Sequence, residues 1–390
     1  MTEDLLLLSA AETEEAIAWR HGLHAAPELA FQEHATSAFV AERLASFGLA
    51  VRAGLAGTGV VGTLKRGTSR RAVALRADMD ALPIQEASGV AWASKVPGRM
   101  HACGHDGHTA ILLAAARLLA RSTTLDGTVH FVFQPAEENE GGAEKMVADG
   151  LFREFPVEAV FGLHNWPDLP AGEAGLTLGP MMAAFGIFEI TVKGHGGHGA
   201  MPHHTADPVA AAFQIGSAMQ TIVARNVSPI DTAVISITTV HGGDAWNVIP
   251  GEVRLGGTIR WFRPAVGDLI EERMRRIAGS IAEAMGCTVD FRIERRYPAT
   301  INDIGEARFV QQVVRGLSPV LKLAENLEPC MGSEDFAFML AQCPGAYVWL
   351  GSGRDGDNPN VHSPRFDFND AVLPLGAALF AALAEKRLAA

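Results

Sequence analysis

The chain has 390 residues, 48% hydrophobic and 19% charged, with a net charge of -12. That length and balance describe a folded protein with room for two domains of ordinary size. The acidic surface repels polyanions, which excludes nucleic acid and acidic membrane surfaces as partners and leaves a small molecule.

The first residues, "MTEDLLLLSAAETEE", open on acids and hold only a four-leucine run. A secretory signal needs a basic start and a longer apolar stretch, so no export is expected. Later runs such as "ILLAAARLLA" are too short to span a bilayer and read as buried helices. Four scattered cysteines make no disulfide framework. The expected location is the cytoplasm, with no membrane partner.

Ser9 followed by Glu12 predicts a capping box opening a helix to about His24. "GTGVVG" matches a dinucleotide fingerprint, but strand, turn and strand follow it instead of a helix, so nucleotide binding is not expected. Strand-like "AVALRA", helical "TAILLAAARLLAR", then strand-like "TVHFVFQP" and "VEAVFGLH" predict a mixed, mostly parallel sheet with helices against it.

Over residues 182–296 the order is strand, helix, strand, strand, helix, strand. The first helix has Asp207 as its cap and runs through "PVAAAFQIGSAMQTIVARN". This is a ferredoxin-like α+β unit inserted into an α/β domain made of residues 1–181 and 297–390.

Ligands of open α/β sheets bind beyond the carboxyl ends of the strands. Asp78 and Asp80 leave one predicted strand, Glu137 and Glu138 another, and His164 ends a third. His362 follows a fourth on a loop, and "MHACGHDGHTA" immediately precedes a helix. Five metal-binding groups, Cys103, His105, Glu138, His164 and His362, exceed the needs of one four-coordinate site. Two metals about 3.5 to 4 Å apart could use them all, activating water and polarising a carbonyl. One carboxylate of the adjacent pair then ligates while its neighbour acts as general base. A structural zinc would call for paired CxxC knuckles, and a serine hydrolase for a GxSxG elbow; the chain has neither.

"LHAAPELAFQE", "RADMDALP", "MHACGHDGHTA", "FQPAEE", "GLHNWP", "GHGGHGAMPH", "GSEDFA" and "NVHSPRFDFND" together resemble the hippurate hydrolase and indoleacetyl-amino-acid hydrolase branch of the aminoacylase and carboxypeptidase G metallopeptidase superfamily. The resemblance runs in order from about His24 to Asp370. It implies a catalytic domain with two divalent metals and an inserted lid that also mediates dimerisation, so a homodimer or higher homo-oligomer is expected. It makes Cys103, His105, Glu138, His164 and His362 the ligands and Glu137 the base. His198 corresponds to an oxyanion-stabilising histidine, and Asn247 and Arg260 to residues holding the substrate carbonyl and carboxylate.

Relatives in other branches carry a His-any-Asp motif where this chain has Asp78-Met79-Asp80. Asp80 is therefore expected not to ligate but either to steer a ligand, His105, or to cap a helix or turn. A soft thiolate leaves zinc, manganese, cobalt and nickel open. The expected reaction is hydrolysis of an N-acyl-L-amino acid, hippurate-like, N-acetyl or indoleacetyl. A dipeptidase or an N-acetyl-diaminopimelate-type deacetylase with the same core is the alternative.

Overall fold

A computed structural model describes residues 7–138 and 140–389. They divide into two compact units. The first holds the residues up to Met181, Ile301–Glu328 and those from Asp335 on; the second holds Met182–Thr300 and Pro329–Glu334.

In the first unit, α1 spans Ala10–Ala25, and both bonds of the Ser9/Glu12 capping box form. There follow α2 (His34–Ser46), β1 (Ala50–Leu55), β2 (Gly59–Arg66), β3 (Ala72–Asp78), α3 (His105–Ala120), β4 (Gly127–Gln134), α4 (Gly142–Ala148) and, further on, β5 (Ala159–Pro170). "GTGVVG" turns a β1–β2 hairpin and enters no helix.

The eight-stranded sheet runs β1, β2, β4, β3, β5, then the strands Gly345–Gly353, Glu173–Gly175 and Lys322–Leu323. At its centre β4, β3, β5 and Gly345–Gly353 are mutually parallel, which turns their carboxyl ends to one side. All seven residues of β3 are buried, as befits a parallel strand covered on both faces. The apolar α3 packs against α1, against β3 and against the helix Leu373–Leu388. Glycine at 376 allows that last approach, since a Cβ there would lie 2.8 Å from Ile111 Cδ1.

Two boundaries differ from expectation. The metal-rich segment does not stop short of α3: His105 and His108 are in its first turn. Strand β5 does not end at His164 but continues to Pro170, because pairing with Gly345–Gly353 carries it through the prolines.

The second unit is a four-stranded antiparallel sheet in the order Ala233–His241, Glu252–Trp261, Ala184–Lys193, Thr288–Tyr297. Helices Pro208–Met219 and Pro264–Ala284 bury their apolar sides in its core. Asp207 caps the first through the amides of Val209 and Ala210. The single helix expected through Asn226 is broken at Gln220 into Pro208–Met219 and Thr221–Arg225. There the Thr221 hydroxyl donates to Ala218 O at 2.7 Å, a local bond that competes with the helical ladder. The segment Pro329–Glu334 joins this unit because Ala183 N–H lies between Cys330 O and Gly332 O.

Candidate metal centre

The parallel strands deliver the chemistry. Asp78 ends β3 and Asp80 follows it; Glu137 and Glu138 come just after β4. His164 lies within β5, in register with Trp349. The loop after Gly345–Gly353 returns to place His362, whose N–H donates to Ala102 O at 2.7 Å while its φ is 65°. Cys103 precedes α3 and His105 opens it. Between them Gly104 adopts φ 92°, and a Cβ there would collide with the Asn165 side chain. Glycine is required on both counts.

Candidate ligand atoms of Cys103, His105 and His164 lie within 4.8 Å of one another, as do those of Cys103, Glu138 and His362, and those of His105, Glu137 and Glu138. The groups overlap through Cys103, His105 and Glu138, so the five expected ligands and Glu137 form one continuous cluster. Cys103 Sγ is 3.4 Å from His164 Nε2. His164 Nδ1 bonds the carbonyl of Asn165 at 2.7 Å, which puts the proton on Nδ1 and the lone pair on Nε2, facing the cluster. His362 Nε2 is 3.3 Å from Glu138 Oε1, and His105 Nε2 is 3.9 Å from the same oxygen.

Buried within this cluster, both ring nitrogens of His105 and Oε1 of Glu138 have no hydrogen-bond partner. Asp80 Oδ1 is 3.3 Å from His105 Nδ1, close enough for an ion pair but without hydrogen-bond alignment. Each buried polar atom left unpaired costs about 1–3 kcal/mol. A thiol, imidazoles and a carboxylate converging with unsatisfied lone pairs are a donor set that a divalent cation fits.

Electrostatics agree with that reading. Burial, helped by Glu138, raises the Cys103 thiol. The neighbouring Cys103 and Glu138 side chains push His362 up to about 10. Burial opposes charge on His105, yet Asp78 and Cys103 hold it well above the usual imidazole range. Burial and the neighbouring His108 and His105, by contrast, hold His164 well below the usual imidazole range.

A buried support surrounds these groups. Asp80 accepts the N–H of Glu137 through Oδ1 and that of Glu138 through Oδ2, both at 3.0 Å. Asp78 Oδ1 is 2.6 Å from His108 Nδ1, and His108 Nε2 accepts the Asn165 N–H at 3.0 Å. Arg76, fully buried, reaches Asp78, Gln134 and Asp335. Burial would raise the Asp78 carboxyl, but His105, His108 and Arg76 hold it well below the usual carboxylate range. The sequence pattern by itself marks no role for His108, Arg76 or Asn165. An arginine inside the apolar run "AVALRAD" was the available signal, because a buried guanidinium must be paired.

The remaining expected residues belong to the second unit. His198 lies on a short strand opposite Val248, its Nδ1 accepting the Ala200 N–H at 3.0 Å. Asn247 is its neighbour: Gly199 N–H donates to Asn247 O at 2.8 Å. Arg260 sits 4.2 Å above the Phe185 ring and donates to Ser333 Oγ at 2.6 Å. Burial lowers its pKa.

An α/β sheet whose parallel strand ends gather a thiol, imidazoles and paired carboxylates is the build of a metal-dependent hydrolase. The chain belongs to peptidase family M20/M25/M40, whose pattern its residues 74–386 match. It is 40% identical over 367 residues to N-acetylcysteine deacetylase of Bacillus subtilis, covering 94% of each chain. It is also 40% identical over 369 residues to hippurate hydrolase of Campylobacter jejuni, covering 95% of each. Among solved structures, a dinuclear metal binding peptidase of the M20 family from Bacillus subtilis superposes with a TM-score of 0.84. That structure is 37% identical, with 97% of this chain and 99% of the other covered.

Proposed function

We propose that this hydrolase cleaves the amide of N-acyl-L-amino acids, releasing a carboxylate and a free amino acid. The observation that carries the reading is the single cluster of Cys103, His105, Glu138, His164 and His362 with Glu137 among them. Those five residues would hold two divalent cations, which when bound polarise the amide carbonyl and make water a nucleophile near neutral pH.

Glu137 is the general base. Its carboxylate removes a proton from the attacking water and delivers it to the amide nitrogen as the C–N bond breaks, so the amine leaves neutral. Glu138, its neighbour, faces His362 and His105 instead. Asp80 keeps the two roles apart by gripping both backbone amides. Asp80 also faces Nδ1 of His105, leaving Nε2 for ligation.

In the second unit, His198 and Asn247 serve the carbonyl oxygen as it gains charge. Arg260 takes the free carboxylate of the substrate, a planar fork suited to bidentate capture. This unit is the lid, inserted near residues 181 and 297, and also the dimerisation surface. Its edge strand Ala233–His241 is unpaired on one side, and Phe213, Val240, Trp246 and Val248 are exposed. A second copy of the chain covers them.

Among the described residues no helix is long and apolar enough to cross a membrane. All four cysteines are free, which suits the reducing cytoplasm.

The test is metal stoichiometry by elemental analysis together with benzoylglycine hydrolysis before and after chelation. About two metals per chain, with activity lost on chelation and restored by zinc, manganese, cobalt or nickel, is the expected result. One tightly held metal with chelator-insensitive activity would overturn the assignment.

A further inference from the structure

Glu33 occupies the N-cap position of α2, where a side-chain oxygen ordinarily accepts a first-turn N–H. It makes no such bond. Glu28 caps the helix in its place, its two oxygens accepting from Ala35 and Thr36 at 3.0 and 2.8 Å. Glu33 turns inward and is fully buried. Its Oε1 accepts the N–H of Phe31 at 3.0 Å and of Ala136 at 2.9 Å, and its Oε2 accepts the Thr58 hydroxyl at 2.7 Å.

Ala136 is the residue before Glu137 and has φ 56°. A left-handed alanine is disfavoured relative to a right-handed one, so the surroundings must impose the conformation. What imposes it here is a run of three successive amides held by two buried carboxylates: Ala136 N–H on Glu33, and Glu137 and Glu138 N–H on Asp80. Consecutive amides around a left-handed residue form the concave arrangement that binds anionic oxygens elsewhere in proteins. Gly142 N–H closes the turn on Ala136 O at 2.9 Å.

Keeping Glu33 there is costly. Burial raises its carboxyl, and the nearby Asp80 charge raises it further. A turn alone could have been made by glycine at 136 without a buried charge. The added carboxylate makes sense if the direction of the next side chain matters.

We propose that Glu33 is a positioning residue for catalysis: by fixing the Ala136 peptide it aims the Glu137 carboxylate at the water it deprotonates. The proposal rests on Glu137 being the base. Misplacing a reacting group by about 1 Å can cost on the order of 10² in rate.

The test compares Glu33→Asp, Glu33→Ala and Glu33→Gln in wild-type and Glu137→Gln backgrounds, following benzoylglycine kcat, KM and metal content. Glu33→Asp keeps the charge but withdraws the oxygens by one methylene. It should lower kcat about 10- to 100-fold with KM and metal content unchanged. Glu33→Ala should do the same, and if it does not fold, Glu33→Asp carries the test. Glu33→Gln keeps an acceptor for Ala136 N–H and should restore kcat to within about threefold of wild type.

In the Glu137→Gln background, Glu33→Asp should change kcat by less than about threefold, because no base is left to aim. Wild-type kcat for Glu33→Asp, an equal loss in both backgrounds, or a loss that follows metal content would each overturn the role of Glu33. Wild-type kcat for Glu137→Gln alone would instead overturn the assignment of the base, and with it this inference.

Discussion

Asp80 Oδ2 accepts the backbone N–H of Glu138 at 3.0 Å while its Oδ1 accepts that of Glu137. One buried carboxylate thus determines where the base and its ligating neighbour begin. Asp80→Asn replaces one oxygen with an NH2 group that confronts an amide N–H donor, and it removes the charge beside His105. Loss of such a supporting partner typically weakens metal affinity about 10- to 100-fold. Competition with a chelator should show that loss, and kcat should fall with it. Unchanged affinity together with unchanged kcat would reduce Asp80 to a turn-forming residue.

Arg260 and His198 should separate in the kinetics. Arg260→Ala removes the partner of a substrate carboxylate that is present throughout the reaction, so KM should rise about 10- to 100-fold while kcat changes little. His198→Ala removes a donor needed when charge develops, so kcat should fall about 10² to 10³. Steady-state measurement on benzoylglycine reads both. A KM effect from His198→Ala with normal kcat would move that residue from oxyanion stabilisation to simple binding.

The apolar side chains of the second unit predict an assembly. Sedimentation of the wild-type chain should give a dimer or larger species, and Phe213→Glu combined with Val240→Glu should give a monomer, since a buried unpaired carboxylate opposes association. A wild-type monomer at micromolar concentration would leave those side chains exposed for another reason.

The legible parts of the sequence were those whose chemistry is local or rare. The start of α1 could be read because a capping box is complete within four residues, and both of its bonds form. The candidate site stood out because a thiol, histidines and paired carboxylates cluster at predicted strand ends. Glu33 was not legible. In "FQEHAT" it looks like an ordinary acid at a helix start, and its partner amide lies 103 residues away. The role of His108 was not legible either, because its partners, Asp78 and Asn165, are supplied by two different strands. The length of β5 was not legible because the parallel neighbour that sustains the strand past His164 comes from residues 345–353.

The buried pair His24 and Asp106 gives a pH prediction. His24 Nδ1 is 2.8 Å from Asp106 Oδ2, and its Nε2 is 3.2 Å from Glu86 Oε1. Burial acts to lower the His24 pKa, but the two carboxylates outweigh it and raise it from 6.5 to about 9. The folded protein therefore binds the His24 proton more tightly than the unfolded chain does. The stability this contributes is full below about pH 6.5 and is lost as pH rises through about 9. Thermal unfolding midpoints of wild type should fall across that window more steeply than those of His24→Gln, which is neutral throughout. The gap between the two should therefore narrow from pH 6.5 to 9.5. A gap constant across the window would mean that His24 is held neutral, with Asp106 neutralised by Arg20, whose Nη1 lies 3.7 Å away.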